Sequence, residues 1–341
     1  MKSKIALAAA LGCLVGLANA QDKLPLVKVV ATGGTIANTP SGRLHAGEVA
    51  EAIPALKKVA RLEVEEVIRV GSSSITVDNW LTLARRINDI LAKEPEVKGI
   101  VVTHGSNTVE ETAYFLSLTV KSDKPVVLTA AQRQFTTLSS DSPKNFLQAV
   151  RVAANDEAKG KGALVVANDL VNAARDVTKN ITYRVDTYDS KDLGALGYVD
   201  EDRVTFYRLP MRQHTTATPF DLSRVQKLPR VDIVYTYAGA DGALIDAAAA
   251  SGAEGIVIAG FPTGSGTPAM DEAMKRVAAK GIAVVMTNRG GTGRITDTRE
   301  KEARPLIFGD NLTPQKARIL LMLALTTTKD RAQLQRVFQT Y

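Results

Sequence analysis

Apolar and polar residues follow two different periods along this chain. Short apolar runs of strand length occur at residues 26–31, 99–103, 125–130 and 163–167. Between them, residues 78–92, 109–120 and 143–158 place apolar side chains at the three- and four-residue spacing of helices. After a strand at 203–208, the polar, proline-marked stretch 214–229 reads as a linker. A second alternation follows, with strands at 233–237, 255–259 and 282–287 and helices at 242–250 and 268–279. A helix over 314–327 is expected to close the chain. Strands alternating with helices predict parallel sheets covered by helices on both faces.

A chain of 341 residues exceeds what one core usually holds. The expected fold class is therefore α/β with two α/β domains, a larger N-terminal one over 21–212 and a smaller C-terminal one over 230–341, joined by a linker over 213–229. Each carries a largely parallel sheet flanked by helices.

The first twenty residues carry Lys2 and Lys4, then an apolar run from Ile5 to Leu17, then Ala18-Asn19-Ala20. That is the layout of a cleaved export signal, so the mature chain is expected to begin near Gln21 in the periplasm, with no membrane span. Cys13, the single cysteine, would leave with the signal, so no disulfide is expected. The formal charge of +7 falls by two, to +5, when Lys2 and Lys4 are removed, and the remaining basic residues are scattered rather than gathered in a stripe. This argues against nucleic acid as a partner. Three histidines with no paired spacing argue against a metal site, and no cofactor is expected.

Two motifs carry candidate chemistry. Thr32-Gly33-Gly34-Thr35 follows the first strand, which places Thr35 at the carboxyl edge of the sheet, where open α/β folds bind ligands. Paired glycines allow unusual backbone angles, so that main-chain N–H groups at Gly34 can approach a developing oxyanion while a hydroxyl attacks; a simple tight turn is the alternative. The second motif, Thr103-His104-Gly105-Ser106-Asn107-Thr108, ends another strand and enters a helix. Thr108 and Glu111 fit a capping box, and Gly105, Ser106 and Asn107 lie where free helix-terminal N–H groups can hold a carboxylate. The strand-end position of His104 favours a satisfied core or loop histidine over a catalytic base. Lys179 lies beyond a further strand; alone it reads as a surface lysine, but a buried, partly neutral amine there could take a proton from Ser106. The loop Gly290-Gly291-Thr292-Gly293 lacks a phosphate-loop lysine and reads as a turn.

With Glu110-Glu111-Thr112-Ala113-Tyr114-Phe115-Leu116, Arg175 to Lys179, Thr218-Pro219-Phe220-Asp221 and Pro314 to Arg318 added, the ordered set resembles bacterial type II L-asparaginases and glutaminase-asparaginases over essentially the whole mature chain. The resemblance implies hydrolysis of a small amide by a homotetramer, a dimer of dimers whose active sites are shared between subunits. It assigns Thr35 as nucleophile, Ser106 as the second catalytic hydroxyl and Lys179 as its partner. It places Ser72 on the substrate's α-carboxylate and Ala131 along the amide pocket. The departures concern the substrate's α-ammonium: Asn107 stands where the family has aspartate, Ser73 where it commonly has glutamine, and Thr298 near a glutamate from a neighbouring subunit. Leu44 matches the usual lid tyrosine. An asparaginase-type hydrolase, a related hydrolase for amides lacking a free α-amino group, and a non-catalytic binding protein are the readings this pattern leaves.

Overall fold

The computed structural model describes residues 24–295 and 305–341. The export signal, Cys13 and Thr298 lie outside the described residues.

The larger sheet has eight strands: β1 (Leu26–Gly33), β2 (Arg61–Val70), β3 (Val97–Thr103), β4 (Val126–Thr129), β5 (Ala163–Ala167), β6 (Leu170–Ala173), β7 (Gly197–Val199) and β8 (Val204–Phe206). Their spatial order is β8-β7-β6-β5-β4-β3-β1-β2. From β2 through β5 all neighbours are parallel, and the last three pairings are antiparallel. The chain leaves β1 for β2 on one side and then crosses to β3 on the other. The carboxyl edge at β1 and β3 is therefore the switch point of the sheet, the place at which open α/β sheets bind ligands.

Helices α1 (Ala46–Glu51), α2 (Val77–Lys93), α3 (Val109–Thr119) and α4 (Ser142–Ala153) belong to this domain. In α2 the residues Trp80, Leu81, Leu83, Ala84, Ile87, Ile90 and Leu91 form one buried face, and Thr76 caps its start reciprocally with Asn79. Apolar clusters lie on both sides of the sheet, so β3, β4 and β5 are almost wholly buried and read as continuous apolar runs.

The second sheet, β9 (Val231–Tyr235), β10 (Gly255–Gly260), β11 (Ala283–Asn288) and β12 (Ile307–Phe308), is parallel throughout. It carries α5 (Ala243–Ala250), α6 (Pro268–Ala279), α7 (Pro314–Ala324) and α8 (Arg331–Thr340). One face of α7 packs on this sheet while α3 of the first domain packs against it too, so one apolar cluster runs through both domains. The linker is docked rather than loose. Phe220 and Leu222 are buried, and the Thr218 hydroxyl donates to Leu118 O at 2.6 Å.

The predicted alternation matches these elements, with additions, of which the six-residue helix α1 is the first along the chain. β2 is an edge strand with a single buried residue, Ile68, and its Glu-rich sequence hides the strand period. β6 follows a two-residue turn in which Asn168 and Asp169 both have positive φ, 50° and 67°, so β5 and β6 form a tight hairpin. β7 is a three-residue strand that pairs antiparallel with β6 and β8. The helix over 314–327 does not close the chain: α8 follows it, buried only at Leu334 and Phe338.

Candidate active site

Three loops meet at the switch point, and glycine is what lets them meet. Gly33 and Gly34 have φ of 96° and 92°, a region side chains rarely adopt. A Cβ on Gly34 would stand 2.3 Å from the backbone of Gly105, and a Cβ on Gly105 would stand 2.6 Å from Ser72 Oγ. The turn after β1, the turn after β3 and the turn after β2 are thus packed backbone to backbone. Thr35 and Ser106 are each one residue beyond that contact.

Ser106 is buried, and its hydroxyl accepts a hydrogen bond from Lys179 Nζ at 2.8 Å. Lys179 also donates to Asn107 Oδ1 at 3.2 Å. The lysine reaches the site from a short bridge, Thr178–Lys179 paired antiparallel with Tyr188–Asp189. Burial pushes the Lys179 pKa below the ordinary lysine range, while the Glu110 carboxylate pulls it back up. A lysine so placed is closer to giving up its proton than a surface lysine.

Ser72 lies in the turn after β2, buried, and its hydroxyl accepts from the Asn107 N–H at 3.2 Å. Thr108 does not cap its helix as the capping-box pattern predicts. No side-chain cap bond forms, and its hydroxyl donates to Ser72 O at 2.9 Å instead. The cost of an uncapped helix start is exchanged for a tie between two loops of the site.

His104 is fully buried in a chain of hydrogen bonds. Its Nδ1 lies 2.8 Å from Gly105 O, which only accepts, so Nδ1 carries the proton; Nε2 then accepts from Thr112, whose oxygen accepts from Trp80 Nε1. Burial lowers its pKa to about 4. This is a neutral core histidine that fixes the Gly105 carbonyl, not a base.

Ser73 is exposed in the turn Ser72–Ser74, and Asn107 is exposed beside Lys179. Ala131 is buried just beyond β4. Thr35 is partly buried. Leu44 packs among Ile36, Ala37, Val49 and Phe146, so this position contributes apolar packing and no hydroxyl.

Two contributors were given no role by the sequence motifs, Tyr188 because it lies outside them and Lys316 although it lies within Pro314 to Arg318. Tyr188 donates to Ser106 O at 2.9 Å. Lys316, fully buried in α7, donates to Arg175 O at 2.8 Å and to Val177 O, so it holds the backbone that leads to Lys179. Neither is signalled locally, because each acts across more than eighty residues of chain. Among the described residues no cluster of ligating side chains suits a metal ion, and no helix is long and apolar enough to cross a membrane.

Residues 26–212 match the family described as Asparaginase, N-terminal, and residues 230–338 match the Glutaminase/Asparaginase C-terminal domain. L-asparaginase 2 of Bacillus subtilis is 44% identical over 339 residues, which span 96% of this chain and 90% of that protein. A protein of Haemophilus influenzae named probable periplasmic L-asparaginase is 40% identical, with 99% of each chain covered. The crystal structure of a probable cytoplasmic L-asparaginase from Campylobacter jejuni superimposes with a TM-score of 0.89 at 39% identity, covering 93% of this chain and 99% of that one. With both domains matched, in order and over nearly the full length of these relatives, the chain belongs to the asparaginase and glutaminase-asparaginase family.

Proposed function

We propose that this protein is an exported amidohydrolase that cleaves a side-chain amide of the asparagine or glutamine type through Thr35. The observation that carries the reading is the Lys179–Ser106 contact of 2.8 Å, in a loop packed against the Thr35 turn. In this mechanism the Thr35 hydroxyl attacks the amide carbon and loses its proton. The C–N bond breaks and the amine leaves with that proton. Water then attacks the resulting ester, releasing the carboxylate and regenerating Thr35. Neutral Lys179 accepts a proton from Ser106, which makes that hydroxyl a proton carrier for one of these steps. Ser72 and the helix-terminal N–H groups receive the substrate's carboxylate, Ala131 lines the amide pocket, and Gly34 and Gly105 bring main-chain groups close to the reacting carbon.

A second reading concerns which amide is preferred. Asn107 Oδ1 already accepts from Lys179, and the side chain carries no charge. Exposed Ser73 is likewise neutral. These residues give an α-ammonium no anionic partner, so an amide with a free carboxylate but a missing or acylated α-amino group is favoured over asparagine.

The leader of Lys2, Lys4 and the apolar run supports export to the periplasm, as in the name of the Haemophilus relative. Assembly into a tetramer with shared sites is supported by apolar side chains left on the surface of β9 and beyond, Ile233, Tyr235, Tyr237 and Leu244, each 40–56% exposed.

The test is release of ammonia or amine from asparagine, glutamine, succinamate and N-substituted amides, with the parent and Thr35→Ala side by side. Parent turnover on one of these amides, with loss of at least a thousandfold in a folded Thr35→Ala protein, is the expected result. Undiminished turnover in that variant would refute Thr35 as nucleophile. Binding without turnover throughout the panel would favour a non-catalytic binding protein.

A further inference from the structure

The segment after β1 brings to the site an arginine that no motif marks. Asn38–Thr39 pairs antiparallel with Gly42–Arg43, and this small hairpin is pinned on two sides. The Phe135 N–H donates to Asn38 O at 2.8 Å, and Arg69 Nη2 donates to Arg43 O at 2.8 Å. The Arg43 side chain is half-buried, and its Nε donates to Asn38 Oδ1 at 2.8 Å. Backbone and side chain are both held before any ligand arrives, which lowers the entropic cost of binding through the guanidinium.

The guanidinium lies across the two turns that carry Thr35 and Ser72. Arg43 Nη1 is 3.2 Å from the place a Cβ on Gly33 would occupy, and Nη2 is 3.9 Å from the corresponding place on Gly71. Ser73 Oγ is 3.9 Å from that same place on Gly71, so the arginine fork and the serine hydroxyl share one space. Gly71 directly precedes Ser72, and Gly33 is separated from Thr35 by Gly34 alone.

No described residue neutralises this cation. Neither Nη1 nor Nη2 has a hydrogen-bond partner among the described residues, and no described carboxylate pairs with Arg43. Glu66, the carboxylate that reaches the same segment, is taken up by His45 Nδ1 at 2.6 Å and by the Ala46 N–H at 3.1 Å. Thr35, Ser72, Ser73, Ser106 and Asn107 carry no charge. A guanidinium fixed through Nε, with both Nη groups free, is arranged to take the two oxygens of a carboxylate.

We propose that Arg43 is a specificity-determining residue of this site, which pairs with the substrate's carboxylate beside Ser72 and Ser73 and so selects amides with an anionic end and no ammonium. The inference deepens the amidohydrolase reading and rests on it. Asparagine brings its carboxylate together with an ammonium that the same cation repels. Succinamate brings the carboxylate alone.

The test compares the parent with Arg43→Gln and Arg43→Lys on succinamate and on butyramide, which has a methyl group where succinamate has its carboxylate. The ratio of kcat/KM for succinamate to that for butyramide should fall at least tenfold in Arg43→Gln, chiefly through a higher KM for succinamate. Arg43→Lys keeps the charge and loses the fork, so the fall there should be smaller but at least threefold. An unchanged ratio, with turnover kept or lost equally on both amides, would reduce Arg43 to a structural role and overturn the proposal. Succinate, titrated calorimetrically into the same three proteins, gives a readout that needs no turnover. A parent that hydrolyses no amide would refute the amidohydrolase reading, and wherever either amide is left intact the titration decides Arg43. Saturable binding that weakens tenfold or more in Arg43→Gln supports the assignment. Absent binding, or equal affinity in the parent and both variants, overturns it. Thermal unfolding checks that the variants fold, and if Arg43→Gln does not, Arg43→Lys decides by the same measurements.

Discussion

The carboxamide of Asn107 accepts a hydrogen bond from Lys179 at 3.2 Å, and a carboxylate in its place would differ in charge but little in shape. Asn107→Asp therefore tests the neutral-pocket reading with small risk to the fold. A charge-assisted hydrogen bond is worth about 1.5–3 kcal/mol, so the kcat/KM ratio of asparagine to succinamate should rise about tenfold to a hundredfold. The same anion would favour the protonated form of Lys179. Because the proposed base is the neutral amine, the limb on which activity rises with pH should move to higher pH in the variant. An unchanged substrate ratio, or a limb moved to lower pH, would count against these assignments. His104 illustrates the opposite case at this scale. Its burial and two hydrogen bonds consume both nitrogens, so a residue that looks catalytic in the motif is spent on holding Gly105 in place.

Elements position what the residues do. Helix α7 brings Lys316 under residues 175–179, where its ammonium holds two carbonyls of the backbone leading to Lys179. Lys316→Met would leave both carbonyls unpartnered, at a cost of about 1–3 kcal/mol each. Turnover is expected to fall tenfold or more, with KM changed little, since Ser72, the proposed carboxylate ligand, lies on a different loop. Burial pushes the Lys316 pKa down to about 8, below the ordinary lysine value of 10.5. Between those two values the unfolded chain binds a proton that the folded chain has released, so stability gains a rising slope with pH, which Lys316→Met should remove. Urea midpoints across pH 7.5–10.5 for parent and variant check this. Parent-like turnover together with an unchanged slope would reduce α7 to a packing element.

At the scale of the whole molecule, one apolar cluster joins the two domains, and α7 lies within it. The exposed Ile233 and Tyr235 on edge strand β9 are the surface that this internal packing leaves uncovered. Light scattering should give a mass about four times that of the processed chain. Tyr235→Glu with Tyr237→Glu should lower that mass and, if the proposed sites are shared between subunits, lower turnover with it. A parent that is monomeric and fully active would remove both the tetramer and the shared sites.

The sequence by itself determined the alternation of elements, because burial on both sheet faces leaves β3, β4 and β5 as unbroken apolar runs and puts a single apolar stripe on α2. It also marked the carboxyl-edge motifs, since Gly34 and Gly105 record a backbone approach that no side chain permits. It did not disclose β2, where the adjacent Glu65 and Glu66 and then Val67 and Ile68 break the alternation begun by Leu62 and Val64, or α8, which buries only two side chains. Nor did it disclose what Thr108, Tyr188 and Lys316 do. A hydroxyl at a helix start can cap that helix or reach a neighbouring loop, and the local sequence is the same in either case. Only the tertiary structure, by setting Ser72 O beside Thr108 and the 175–177 carbonyls beside Lys316, chose between those partners. Periodicity reports which side chains are buried, whereas hydrogen-bond partners depend on which distant segments the packing brings within 3 Å.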